Sequence, residues 1–149
     1  MKPFLFSVIC LATLSFASCK KDSPSTPAPP TPPTKSNEIN TKIDGQDWSG
    51  AILSWAVSGG TRQINATSTP TSIQIFMPED TTGTFHASDN VITVSYNDGT
   101  TTWSNNVTGQ VTITANSNEH VEGSFEMTLA SYFNSDTLEL TSGTFYYKQ

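Results

Sequence analysis

The chain has 149 residues, 7 Lys and Arg against 13 Asp and Glu, a formal net charge of −6 and 2 cysteines. Such an acidic balance argues against nucleic acid as a partner and against a polybasic membrane patch. Two cysteines are too few for a disulfide framework or a cysteine-ligated metal fold, and the length suits one domain preceded by shorter segments.

The first segment, residues 1–18, reads as a signal peptide. Met1 and Lys2 supply positive charge, and Phe4 to Phe16 form an apolar run too short for a permanent membrane span. Phe16-Ala17-Ser18-Cys19 resembles the lipobox of exported bacterial lipoproteins, with Phe16 where leucine is commoner. Cleavage before Cys19 makes that cysteine the lipid-carrying amino terminus and removes Cys10, so no free thiol is expected in the mature chain. Several acyl chains at about 0.8 kcal/mol per buried methylene give a durable anchor. The expected location is the cell envelope, in the outer membrane, because no aspartate follows Cys19 to suggest retention in the inner one. Lys20-Lys21-Asp22-Ser23 carries a single acid, so the sequence leaves the periplasmic and surface sides both open.

Residues 19–36 comprise the lipidated cysteine and a disordered tether. Pro24, Pro27, Pro29, Pro30, Pro32 and Pro33 lie among Ser, Thr and Ala with no large apolar residue, a composition that extends and builds no core.

Residues 37–149 then read as a single β domain. Period-two alternation recurs at Ile39 and Ile43; Ile73, Ile75 and Met77; Ile92, Val94 and Tyr96; Val111, Ile113 and Ala115; and Leu138 and Leu140. Turn chemistry separates these runs at Asp44-Gly45, Gly59-Gly60, Asn97-Asp98-Gly99 and Ser142-Gly143. The clearest hairpin joins Val91–Tyr96 to Thr100–Trp103. His120 to Phe133 satisfies both periods, but a helix would carry Gly123 internally at about 1 kcal/mol relative to alanine, and the strand reading leaves no charge facing inward. The expected fold class is all-β: an antiparallel β-sandwich or a partly closed β-barrel of about nine to eleven short strands.

Ile43-Asp44-Gly45-Gln46-Asp47-Trp48, Gly83-Thr84-Phe85, Gly109-Gln110-Val111-Thr112-Ile113-Thr114, Val121-Glu122-Gly123-Ser124-Phe125 and Leu140-Thr141-Ser142-Gly143-Thr144-Phe145 together resemble DUF6252, a family of small Bacteroidota lipoproteins of unknown function. The resemblance spans nearly the whole β domain. It implies the fold and the compartment, and supplies no catalytic or binding residue.

The residues themselves hold no Gly-x-Ser-x-Gly elbow, phosphate loop or His-Glu-x-x-His helix, so no catalytic residue, cofactor or metal site is assigned. His120-Val121-Glu122 matches half of a zinc-deaminase pattern whose cysteine ligands are lacking. His86, with Asp89 or His120, lacks ligand spacing; a strand end for His86 and a solvent face for His120 are the preferred readings. Asp80, Asp89 and Asp98 fall where aspartate caps turns.

Trp48, Trp55 and Tyr96 are assigned to the core. Trp103, among threonines and asparagines, is the candidate ligand-binding aromatic, with packing the preferred alternative. Asp80-Thr81-Thr82 and Asp136-Thr137-Leu138 are similar to a bacterial O-glycosylation pattern, marking Thr81 and Thr137. The function expected is a non-catalytic binding or envelope-assembly module, anchored through Cys19, whose partner is an envelope protein or a glycan. A hydrolytic enzyme with an unrecognised site is the remaining alternative.

Overall fold

Residues that accept left-handed backbone cut the chain into strands: Asp44 and Gly45 with φ of 47° and 83°, then Gly59 and Gly60 with 59° and 79°. In the computed structural model, which describes residues 34–133 and 136–149, these turns separate nine strands. They are β1 (Glu38–Ile43), β2 (Gln46–Ser58), β3 (Thr61–Ser68), β4 (Thr71–Pro78), β5 (Gly83–His86), β6 (Thr93–Asn97), β7 (Thr102–Asn116), β8 (His120–Ser131) and β9 (Thr137–Lys148). A single 3-10 turn, Ala87–Asp89, lies between β5 and β6.

All pairings are antiparallel, and the ladder β1-β2-β3-β4-β6-β7-β8-β9 closes because β9 also pairs with β1. The result is an eight-stranded barrel with β5 as an extra strand on β7. The sandwich considered from the sequence is therefore replaced by full closure: β1 hydrogen-bonds on both sides, which leaves no break at which two sheets could separate. Bulges in the longer strands supply the curvature.

Eight strands enclose a space just wide enough for side chains to fill. Ile39, Ile64, Ile73, Ile75, Val94 and Leu129 are completely buried there. Across β8 and β9 the large and small residues alternate reciprocally, Gly123 opposite Phe145 and Phe125 opposite Gly143. The two rings stack with centroids 6.4 Å apart, and each covers the other strand's glycine.

Three local expectations change. Ser142-Gly143 is not a turn: it lies inside β9, where Ser142 takes φ 53° as the extra residue of a bulge. That bulge shifts the inward parity from Leu138 and Leu140 to Gly143 and Phe145, so turn-forming chemistry bends a continuous strand. Val111–Ala115 and the latter half of Thr100–Trp103, read as separate runs, belong to the single strand β7, which starts at Thr102. Leu53, read with the apolar surroundings of Trp55, is the extra residue of the β2 bulge and is 72% exposed. His120–Ser131 is a strand, as its period and Gly123 indicated.

β5 and β6 successively occupy one edge of β7, and the interval between them is bridged by a side chain. Asn106 Oδ1 accepts the Val94 amide at 3.0 Å, and Asn106 Nδ2 donates to the Val94 carbonyl at 2.7 Å. The asparagine thus substitutes for a missing backbone partner and keeps the barrel closed.

Candidate functional site: the end of the barrel where β1 begins

The described chain enters the barrel at one end through Thr34–Ser36, and here the wall is uneven. Glu38 of β1 pairs with Ala51 of β2 on one side and with Tyr146 of β9 on the other. Beyond that row Ile52 N–H still donates to Asn37 O at 2.9 Å, and β9 runs out at Lys148, whereas β2 continues to Ser58. Among the described residues, the β1 side of Leu53–Ser58 has no backbone partner.

The sequence explains why β1 is not longer. Asn37 ends the strand firmly: its side chain donates to Lys148 O at 2.8 Å and accepts Lys148 N–H at 2.9 Å. Lys35 is then drawn aside to an ion pair with Glu122 on β8.

Behind the free edge, Trp55 stacks on Tyr147 of β9 with centroids 4.9 Å apart. Arg62 of β3 lies under Trp55, its guanidinium carbon 4.1 Å from the ring centroid. Arg62 is completely buried, yet its nearest acid, Asp80, is 3.8 Å away and largely exposed. Its one hydrogen bond, to Asn118 Oδ1, is long at 3.4 Å, and Nε and Nη1 have no partner among the described residues. A cation–π contact contributes roughly 0.5–2 kcal/mol. Burying a charge costs several kcal/mol, so Arg62 is an expensive residue at this position.

On the outer face of β8, His120 Nε2 lies 3.2 Å from Glu122 Oε2 without the alignment of a true hydrogen bond. The imidazole packs against Tyr146 at 5.1 Å, and Lys35 Nζ lies over the same ring at 5.3 Å. The Lys35 ammonium holds the Glu122 carboxyl below its ordinary range, with a smaller contribution from His120. A histidine beside a carboxylate has the parts of a general base. Here Glu122 is already engaged by Lys35, so the cluster acts first as a clasp on the incoming chain.

The residues singled out from sequence are scattered. Trp103 is half-buried at the far end, stacked on Tyr96 at 5.7 Å, with its indole N–H buried and unpartnered among the described residues. That geometry is packing rather than a flat open platform. The Tyr96 phenol is shifted upward by burial, with the Asp98 and Asp44 carboxylates adding to the effect.

Thr81 lies in the β4–β5 turn, where its hydroxyl donates to Glu79 O at 2.9 Å, and Thr137 is exposed at the start of β9. His86 ends β5, and its amide donates to Asp89 Oδ2 at 2.8 Å. Cys19 lies outside the described residues. Among the described residues no group of three or more His, Cys, Asp or Glu could hold a metal.

Arg62 and the β2 edge were the features missed. Arg62 alternates with Ile64 and Ala66 between the Gly59-Gly60 and Thr69-Pro70 turns, and that pattern alone places a cation on the buried face. The free edge has no such signal, because it depends on the relative lengths of β1, β2 and β9.

A family model described as a domain of unknown function, DUF6252, matches residues 35–147. Neither the curated proteins nor the solved structures include a match to the chain.

Proposed function

Since the chain belongs to the DUF6252 family, whose function is unassigned, we propose that it is a lipid-anchored, non-catalytic docking module of the bacterial cell envelope. In this reading Cys19 carries the lipid, the proline-rich segment spaces the barrel from an outer membrane, and β2 receives a partner by strand addition. The observation that carries it is the unpaired stretch Leu53–Ser58, which exposes Leu53 by 72% and Val57 by 42% and bears no charge or proline. Soluble proteins ordinarily blunt such edges with lysine, proline or a covering segment, so an edge left bare is a docking surface in waiting.

Crosslinking on intact cells, followed by affinity purification of the tagged chain, tests the reading. The wild type is expected to be recovered crosslinked to a protein partner, whether another polypeptide or a second copy of the chain, and Ala56→Lys, which charges the edge, is expected to lose that crosslink. Equal recovery with both chains, or nothing with either, would contradict docking through β2. The glycan reading is not carried forward, because Trp103 packs on Tyr96.

A further inference from the structure

The free edge of β2 has a feature that strand addition alone does not require: it is complementary to itself. Past the bulge at Leu53, Trp55 pairs with Ile64 and Val57 with Arg62, so Trp55 and Val57 stand on the inner side of the wall. Ser54, Ala56 and Ser58 alternate with them on the outer side. When the strand is turned about a two-fold axis through Ala56, Ala56 meets the second copy's Ala56, and Ser54 meets its Ser58. Trp55 meets its Val57.

Every pair then keeps both members on one side of the combined sheet, as antiparallel pairing demands. The outer side brings only small residues together and the backbones approach freely. The inner side places an aromatic opposite a β-branched residue, one of the favourable cross-strand pairs, and covers the exposed Val57.

Charge selects the occupant. The chain carries a formal net charge of −6, so a second copy can approach closely only through a stretch that carries no charge. Leu53 to Ser58 is an uncharged stretch, and it offers a charged peptide nothing to pair with. Lys35 leads the described entering segment to Glu122 of β8, away from this edge. Because β9 ends at Lys148, the last residues of β2 extend past the neighbouring wall, where a second barrel can approach.

We propose that Ser54–Ser58 pairs antiparallel with the same stretch of a second copy, making an isologous dimer centred on Ala56. The proposal rests on the docking reading above and names its partner.

The test is Ala56→Cys in the full chain expressed in cells, treated with a mild oxidant and run on a non-reducing gel. Wild type and Ser49→Cys serve as references; Ser49 is exposed on the paired part of β2. Facing antiparallel residues have α-carbons within disulfide reach. The expected result is a disulfide-linked dimer from Ala56→Cys, with at least tenfold less from Ser49→Cys and from wild type. Equal dimer yields, or none from Ala56→Cys, would overturn the proposal. A disulfide from Cys at position 56 to a different polypeptide would also overturn the second-copy assignment, while leaving docking through β2 intact. A second readout covers misfolding: purified wild type is expected to sediment as a dimer, and Ala56→Lys, with an unchanged circular dichroism spectrum, as a monomer. A monomeric wild type at micromolar concentration counts against the proposal.

Discussion

Arg62 shows how a single residue can sit at odds with its surroundings. Its guanidinium is fully buried with Nε and Nη1 unpartnered, and Trp55 offsets only part of the desolvation. Replacing a buried, poorly paired charge by an apolar side chain of similar volume is stabilising by roughly 1–4 kcal/mol in favourable cases. Arg62→Met is therefore expected to raise the thermal midpoint, and Arg62→Ala, which leaves a cavity, to be less stable than Arg62→Met by about 2–5 kcal/mol. Calorimetry of the two variants checks this, and a Met variant less stable than wild type would count against the reading. Glu122 supplies a pH-dependent counterpart. Its carboxyl is depressed chiefly by Lys35, so the clasp contributes fully above the ordinary glutamate range and is lost as pH falls through the lowered value. The contribution is small at a half-exposed site, and its readout is local. The Lys35 side-chain NMR signals are expected to shift as pH falls through the lowered Glu122 value and before the barrel unfolds, and Lys35 signals unaffected by pH down to global unfolding would contradict that.

At the scale of elements, β8 and β9 illustrate what alternation conveys and what it hides. A Cβ on Gly143 would meet Phe125 ring carbons at 2.6 Å, so Gly143→Ala forces the ring from its place. Overpacking of this kind costs about 1–3 kcal/mol, measurable by chemical denaturation. Asn106→Leu is expected to cost about 2–4 kcal/mol, because it strands both the amide and the carbonyl of Val94. The inward residues of most strands were legible from period-two patterning, since burial of one face leaves that mark directly. The Ser142 bulge was not, because a left-handed serine followed by glycine carries the same local chemistry whether the chain reverses or merely kinks. Asn106 was likewise invisible: its two bonds span the gap between β5 and β6, which exists only once both strands have been laid on β7.

For the whole molecule, closure decides what surface is left to act. An eight-stranded barrel filled by its own side chains keeps its interior for stability. In the proposed docking reading recognition falls to the outside, and the end where β1 begins differs from the rest of the wall because β2 continues past both β1 and β9. Composition and spacing made the all-β class readable, and the leader and tether are expectations from the same source. The free edge follows from strand lengths around a closed ring, a property of no single segment. The central claim, that β2 is a docking edge used in the envelope, is tested most directly by hydrogen–deuterium exchange. The chain in native membranes would be compared with the same chain purified and diluted to nanomolar concentration. Edge-facing amides within Leu53–Ser58 are expected to exchange at least tenfold more slowly in the membranes, while β4 and β8 exchange alike in both samples. Equal exchange of Leu53–Ser58 in the two samples would contradict the account.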